Sequence, residues 1–322
     1  MLKFLTVVFG ATISLLGTSY GDDWPNRPLK LIVPTAAGSA TDITARMVAN
    51  GVAPELGQAV VVINVPGVSG IVAHESAARA APDGYTFLFT NTSGMATNLI
   101  SFKQLPYDPT RDFTAVSLVC SLGPQMLSVK SDLPVHDIGE LIVYTKANPG
   151  KLSIAFDNTA GAAAYAAKLL NKRAGLNLVE VPYRSSPQAV QDTSAGVAQL
   201  LMSSIAAARP GVESGKLRRL AVTSRRRFPG LPELPSLQER VPGVVMDGFF
   251  AVVAPTGTAS EIVKKMNVAI GHYLAGSEIR DRLLAFGLAT DGGGTPENTA
   301  QLISEEQKYW RMLATELSIE PQ

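Results

Sequence analysis

The chain has 322 residues, of which 46% are hydrophobic and only 17% are charged, below the roughly 25% of charged residues usual in globular proteins. This composition excludes a disordered chain or a coiled coil. The 28 basic and 27 acidic residues leave a formal charge of +1, so charge gives no reason to expect nucleic acid or an anionic membrane as a partner. The single cysteine, Cys120, excludes an intramolecular disulfide and a cysteine-based zinc site.

Residues 1–21 have the plan of a secretory signal peptide. Lys3 is their one charge, an apolar run extends from Phe4 to Leu16, and Ser19 and Gly21 place small residues at a cleavage site. About 13 apolar residues are too few for the roughly 20 that a membrane-spanning helix needs. We therefore expect a periplasmic protein cleaved near Gly21, which keeps 27 acidic and as many basic residues and has no net charge.

The first part of the mature chain alternates strands and helices. Its predicted elements are a strand over 29–33, a helix capped by Thr41 or Asp42, a strand over 59–64, a helix over about 71–80 and a strand over 85–89. This order implies a parallel sheet with right-handed crossovers.

The pattern restarts after two β-prone stretches that lead from one domain to the next. The further predicted elements are stretches 113–119 and 125–129, helix 138–147, strand 152–156, helix 162–174, strand 178–181, a helix from Pro187 towards Ser194, strands 200–204 and 217–223 with a helix between them, crossing strand 249–254, and helices 259–274, 277–286 and 296–317. We therefore predict two α/β lobes joined by two crossing strands, with residues 22–124 and 249–322 in lobe 1 and 125–248 in lobe 2. Of Phe249 and Phe250, one is expected to face the cleft and the other the core, since neighbours on a strand alternate.

Motifs for catalysis are missing from the sequence. It has no G-x-S-x-G elbow, Walker loop, H-E-x-x-H or G-x-G-x-x-G after a strand. His74, His136 and His272 share no ligand spacing, and Cys120 has no neighbouring cation to activate it. We therefore expect no enzyme activity, no cofactor and no metal, and Cys120 to be a buried structural thiol.

Small and hydroxyl residues collect at three strand-to-helix turns instead. These turns are Thr35-Ala36-Ala37-Gly38-Ser39, Asn91-Thr92-Ser93-Gly94 and Asp157-Asn158-Thr159-Ala160-Gly161. Each leaves backbone N–H groups open at a helix N-terminus, where they can bind a carboxylate. Ligands of open α/β sheets lie at such carboxyl ends of strands, so the three turns predict one shared anion-binding cleft.

The sequence resembles the Bug family, the extracytoplasmic solute receptors of tripartite tricarboxylate transporters. The resemblance covers essentially the whole mature chain and is carried by residues 24–34, 41–46, 80–86, 105–109 with 112–113, 149–152, 181–184 and 215–224. It implies a type II periplasmic-binding-protein fold, two lobes that close on a small di-, tri- or aromatic carboxylate, a monomer without catalysis, and large and small membrane subunits of a transporter as partners.

The resemblance also places the ligand-binding residues, including a cluster near the second-lobe loop. The candidate set is Thr35, Ala36, Ala37, Gly38, Ser39, Asn91, Thr92, Ser93, Asn158, Thr159, Gly161, Ala162, Ala163, Tyr183, Arg184 and Ser203. Arg184 could pair with a ligand carboxylate or form a surface salt bridge, whereas Asp42 is interpreted as structural because it would repel an anion.

The sequence departs from the family pattern at several of these positions. Ser39 and Ala40 replace consecutive glycines, Ala162 to Tyr165 replace Ser or His, and Ser203 stands where many members have Asp. We infer a less polar second lobe suited to a more apolar or aromatic acid.

Two alternatives stay open beside transport. A sensing receptor that signals to a membrane kinase without uptake would have the same sequence features. An exported hydrolase has only the hydroxyl-rich turns, such as Ser93, in its favour.

Overall fold

The computed structural model describes residues 24–157, 162–183 and 185–321. The predicted signal peptide and the candidate residues Asn158, Thr159, Gly161 and Arg184 lie outside these ranges. The described strands form two five-stranded mixed sheets, one in each half of an α/β architecture. The predicted fold class, two α/β lobes, is confirmed. The first lobe contains the first sheet, and the second lobe contains the second sheet.

The first sheet is built from both ends of the described chain. Its strands are β1 (Leu29–Val33), β2 (Val60–Asn64), β3 (Thr86–Asn91), β4 (Phe113–Ser121) and β10 (Phe249–Pro255), in the spatial order β2-β1-β3-β10-β4. The pairs β1·β2 and β1·β3 are parallel, as predicted, while β10 runs antiparallel to both β3 and β4. The return crossing therefore ends before Phe249, and β10 lies inside the first sheet.

The second sheet comes from one continuous stretch of chain. Its strands are β5 (Gln125–Lys130), β6 (Ser153–Asp157), β7 (Val179–Tyr183), β8 (Leu200–Ser204) and β9 (Leu217–Val222), in the spatial order β7-β6-β8-β5-β9. Here β6 is parallel to β7 and β8, and β5 is antiparallel to β8 and β9. The two sheets thus share one plan, with the strand that arrives from the other lobe running against its neighbours.

Helices cover the faces of both sheets. They are α1 (Ala40–Leu56), α2 (Ile71–Ala78), α3 (Asn98–Ser101), α4 (Ile138–Ala147), α5 (Ala162–Arg173), α6 (Ser186–Ala195), α7 (Ile205–Glu213), α8 (Ser260–Ala275), α9 (Ser277–Ala285) and α10 (Pro296–Leu317), with short helical turns at Val68–Gly70, Ser93–Thr97 and Leu237–Glu239. As predicted, α10 begins with a Thr295 cap and Pro296. Within the described ranges, no helix combines the length and apolar character needed to cross a membrane.

The cap predicted for α1 is wrong. Ser39, and neither Thr41 nor Asp42, is the N-cap: its backbone is extended and its hydroxyl accepts a hydrogen bond from the Asp42 N–H at 3.2 Å. The helix starts earlier than predicted because Gly38, with φ +82°, turns the chain just before it.

Both aromatic residues at the start of β10 are buried, which corrects the expectation that one faces the cleft. Phe249 is 2% exposed and packs in a cluster with Met95 and Phe113, whereas Phe250 is 4% exposed and packs on the opposite face, 5.3 Å from the Phe89 ring centroid. The alternation along the strand holds, but each face of the first sheet is covered by helices.

The lobes are joined by two short segments that lie side by side. Residues 122–124 lead from β4 to β5, and residues 247–248 lead back to β10. The Leu122 N–H donates to the Gly248 carbonyl at 2.7 Å, and Ser121 exchanges two backbone hydrogen bonds with Ala289. This pair of crossings is the hinge.

The C-terminal helix α10 spans the hinge. Ile303 packs in a core cluster of the first lobe, while Trp310 packs in the main cluster of the second lobe, 5.6 Å from the Tyr165 ring centroid. Its last turn is tied to α5 by two hydrogen bonds between the Arg173 guanidinium and the Glu316 carboxylate. Helix α10 therefore packs against both lobes.

Candidate ligand-binding cleft

The strand registers place one strand end of each sheet beside the hinge. In the first sheet the end of β3, Asn91, pairs with the start of β10, Phe250, next to the hinge. In the second sheet the end of β8, Ser204, pairs with Gln125, the first residue after the hinge. The carboxyl ends of the parallel strands in both sheets therefore point towards the gap between the lobes, where α/β proteins bind ligands.

The loop from Thr35 to Ser39 is held in one shape by a network of side chains. The Thr35 and Ser39 hydroxyls lie 2.7 Å apart, and the Gly38 N–H donates to the Asp42 carboxylate at 2.8 Å. Together with the bond from the Asp42 N–H to Ser39, this forms a reciprocal cap. The N–H groups of Ala36 and Ala37 have no partner within the described ranges, so both remain available to a ligand.

Asp42 is structural, as interpreted from the sequence. Its side chain is 3% exposed and forms an ion pair with Arg46 at 3.0 Å. Burial raises the pKa of this carboxyl, but the hydrogen bonds from Arg46, Gly38 and Asn64 together lower it below its usual value. The carboxylate therefore stays charged, and it accepts hydrogen bonds from the Gly38 N–H, Arg46 and Asn64, which hold the loop in place.

Asn64 is a supporting residue that the sequence analysis missed. Its side-chain amide donates to the Thr35 carbonyl at 3.0 Å and to the Asp42 carboxylate at 2.8 Å. The position of Asn64 at the end of β2 could have identified it from the sequence. Since β2 is parallel to β1 and neighbouring parallel strands end at the same edge, Asn64 is expected close to the loop after β1.

The second turn, after β3, is anchored through Asn91 and Thr92. The Asn91 side chain accepts from the Gly94 N–H at 3.1 Å. Thr92 is 6% exposed and its hydroxyl accepts from the Phe249 N–H at 2.8 Å, so this candidate residue fixes the turn to β10. Ser93 is exposed and remains open to a ligand.

His74 lies directly beneath this second turn. It is fully buried, with Nδ1 2.8 Å from the Gly70 carbonyl and Nε2 2.7 Å from the Thr90 hydroxyl. A carbonyl only accepts, so Nδ1 carries the proton and Nε2 accepts from Thr90. Burial lowers the pKa of His74 to about 4, against the opposing effect of the Gly70 carbonyl, and the ring is therefore a neutral support.

Tyr107 and Gln307 hold the same turn from two further directions. The Tyr107 hydroxyl donates to the Gly94 carbonyl at 2.8 Å, and its ring stacks on His74 with 5.1 Å between centroids. The Gln307 amide of α10 donates to the Met95 carbonyl at 2.9 Å. Contacts within the protein thus hold the turn from several sides.

The second-lobe candidates are placed only in part. Ala162 is exposed at the start of α5, while Ala163 is 3% exposed and packs in the core. Tyr183 ends β7 and is half-buried; burial and then a hydrogen bond with Asp192 raise its pKa. Ser203 is 1% exposed, near the end of β8. The described candidates of both lobes are all uncharged, so any binding of an anion by them relies on dipoles.

The Cys120 thiol and the potential metal ligands of the described ranges are the remaining candidates for chemistry. Cys120 is buried, as predicted, and burial raises the pKa of its thiol to about 12. Within the described ranges, no cluster of three or more His, Cys, Asp or Glu side chains could hold a metal ion.

Charged groups gather on one side of the hinge. Glu306 of α10 is 4% exposed and accepts from the Trp310 indole at 3.2 Å, and Arg225 lies 3.5 Å from it. The Asp247 carboxylate accepts from the Arg225 backbone N–H at 2.8 Å. Burial raises the pKa of Glu306 to about 7 and also raises the pKa of Asp247.

This arrangement predicts a pH-dependent stability that Glu306→Gln removes. Between the ordinary glutamate pKa of 4.5 and about 7, the folded protein keeps a proton that the unfolded chain has lost, so stability falls as the pH rises through this window. Relative to the wild type, the variant should gain up to about 3 kcal/mol between pH 4.5 and pH 8. Urea denaturation across this range measures the difference.

The control is Glu320→Gln, which makes the same change of charge at an exposed position just beyond the end of α10. A constant difference between Glu306→Gln and the wild type from pH 4.5 to 8 would contradict the prediction.

The two sheets and their facing edges have the architecture of a two-lobe binding protein. A sequence model described as "Tripartite tricarboxylate transporter family receptor" matches residues 44–319. The chain therefore belongs to the receptor family of tripartite tricarboxylate transporters. This confirms the resemblance to the Bug proteins.

Individual relatives agree with this assignment. Protein BugT of Bordetella pertussis is 32% identical over 314 residues, covering 96% of each chain. The structure of R. palustris Rpa4515 with adipate has a TM-score of 0.73 at 32% identity, covering 93% of this chain and 100% of that one. MatC from Rhodopseudomonas palustris with bound malate has a TM-score of 0.66 at 29% identity, covering 90% and 99%.

Proposed function

We propose that this protein is a periplasmic receptor that captures a small organic carboxylate between its lobes and delivers it to a tripartite tricarboxylate transporter. The observation that carries the proposal is the uncharged, hydrogen-bonded turn from Thr35 to Ser39, whose Ala36 and Ala37 N–H groups have no partner within the described ranges and lie just before α1. The structures of relatives with adipate and malate support the same ligand class.

The ligand-binding residues of the proposal come from both lobes. They are Thr35, Ala36, Ala37, Gly38, Ser39, Asn91, Thr92, Ser93, Asn158, Thr159, Gly161, Ala162, Ala163, Tyr183, Arg184 and Ser203. Exposed Ala162 and uncharged Ser203 favour an acid with a larger apolar part. The same proposal puts the lobe boundaries at residues 22–124 with 249–322 and at residues 125–248. The division of the described strands between two sheets supports these boundaries, and α10 packs against both lobes.

Export, partners and the absence of catalysis belong to the same proposal. The signal peptide would be cleaved near Gly21, and the mature monomer would dock on the large and small membrane subunits. The neutral, hydrogen-bonded His74 and the buried Cys120 thiol support a binding role without catalysis, because neither can act as a base or nucleophile on a bound molecule.

A thermal-shift panel tests the ligand class. Monocarboxylates, dicarboxylates, tricarboxylates and aromatic acids are compared with sugars and cationic amino acids. The matching carboxylate at about 100 times its Kd should add about 2.7 kcal/mol of stability, which is a clear rise in Tm. Shifts from sugars or cationic amino acids, with none from any carboxylate, would refute the proposal. Loss of uptake after gene deletion then separates transport from sensing.

A further inference from the structure

A second cavity, of about 800 Å³, opens beside the hinge. Its walls include one face of α7 along its whole length, the crossing segment 122–124, a loop around Phe228, and residues 284–287 at the end of α9. Both lobes and the hinge therefore contribute to it. The candidate residues of the carboxylate site do not line this cavity, but Ser204, at the second-lobe edge of the cleft, does. The volume is well within the range of small-molecule pockets.

The lining combines apolar side chains with two arginines, Arg209 and Arg219. The apolar side chains are Leu122, Met126, Ile205, Phe228, Leu284 and Phe286. Phe286 is 51% exposed, which is unusual for so large an apolar side chain. Arg219 is held by Glu233 at 3.3 Å, whereas Arg209 has no acidic partner within 4.0 Å in the described part of the chain.

We propose that this cavity binds a small amphipathic anion, with the acidic head group on Arg209 and the apolar body between Ile205 and Phe286. An arginine binds a carboxylate or sulfonate through charge-assisted hydrogen bonds. The apolar walls require a body that gains from leaving water. The Glu213 carboxylate, also in the lining, disfavours molecules with several negative charges.

Occupancy of the cavity is coupled to the angle between the lobes. A Cβ built on Gly123 would lie 2.2 Å from the Gly287 carbonyl, so the end of α9 rests directly on the crossing segment. A molecule that touches α7 on one side and α9 on the other binds best at one lobe angle. By linkage, a molecule bound in the cavity changes the affinity of the cleft for its carboxylate. The bound carboxylate changes the affinity of the cavity by the same factor. This coupling rests on the proposed function, whereas binding to the cavity does not.

Octanoate is the probe, and its binding is measured by isothermal titration calorimetry on the mature protein. The wild type should bind it at a single saturable site. Arg209→Gln should weaken binding about tenfold, since a charge-assisted pair at a partly exposed site is lost. Ala206→Trp, an exposed position in the lining, should abolish binding by filling the cavity.

Two variants serve as matched controls. Arg280→Gln removes an exposed arginine of α9 outside the lining, and Ala37→Trp obstructs the carboxylate cleft. Both should bind octanoate like the wild type. The proposal is overturned by absence of saturable binding, by wild-type binding in both Arg209→Gln and Ala206→Trp, or by loss of binding in Ala37→Trp, which would place octanoate in the cleft. The cleft carboxylate should still stabilise the Ala206→Trp variant. This measurement distinguishes failure of the cavity proposal from failure of the proposed carboxylate site.

Discussion

Gly94→Ala should cost the folded protein about 3 to 5 kcal/mol. A Cβ at this position would lie 1.8 Å from Nε2 of His74, which is fully buried and hydrogen-bonded at both ring nitrogens. The ring must leave its position, so overpacking adds to the loss of buried hydrogen bonds to Gly70 and Thr90. Urea denaturation followed by circular dichroism measures the change.

The control for this substitution is Gly271→Ala in α8. The nearest atom to a Cβ there is the Gly292 carbonyl oxygen at 3.9 Å, so this variant should be about 0.5 to 1 kcal/mol more stable than the wild type. The double variant Gly94→Ala/His74→Ala should be no less stable than His74→Ala alone, because the clashing ring is gone. Additive losses in the double variant would show that His74 is not the cause.

Asp42→Ala should cost about 2 to 3 kcal/mol and weaken carboxylate binding at least tenfold. The substitution leaves the Gly38 N–H, the Asn64 amide and the Arg46 guanidinium without their shared acceptor. The turn that presents Ala36 and Ala37 then loses its fixed shape, and the cost of ordering it falls on ligand binding. Denaturation and calorimetry measure the two effects.

The pH dependence gives an independent check on Asp42. Because its folded pKa lies below the ordinary value of 3.8, its contribution is present above that pH and is lost as the pH falls through the lower folded pKa. The penalty of Asp42→Ala should therefore shrink in strong acid. Glu75→Ala, which removes the pair of half-buried Glu75 with the exposed Arg79 side chain, should cost less than about 0.5 kcal/mol. Equal penalties for the two variants at neutral pH would contradict the role assigned to Asp42.

Local patterns were sufficient to predict most of the fold. The helix at Ile138–Ala147 and the strand at Leu200–Ser204 have the predicted bounds. In each case the signal is short-range: a helix-length segment before the turn at Asn148-Pro149-Gly150, and an apolar run of strand length. The order of strands and helices also predicted the parallel pairing of β1 with β2 and β3.

The features that local patterns did not predict depend on partners distant in sequence. Ser39, Thr41 and Asp42 can all cap a helix, and the choice among them follows from the Gly38 turn and from Asn64 on another strand. Nothing local to Thr92 indicates that its hydroxyl accepts a hydrogen bond from the Phe249 N–H, because the two residues lie 157 positions apart. Phe249 and Phe250 point to opposite faces of the first sheet, as strand neighbours do. That helices cover both of these faces cannot be read from the strand itself.

The position of β10 has a consequence for the order in which the chain can fold. This strand lies between β3 and β4, although more than a hundred residues of the second lobe separate it from β4 along the chain. A polypeptide that emerges with its N-terminus first can complete the second sheet while the first sheet still lacks its inner strand β10. Until residue 255 has emerged, β3 and β4 expose unpaired edges, and such edges attract other chains. The protein should therefore be most prone to aggregation while its synthesis or translocation is incomplete.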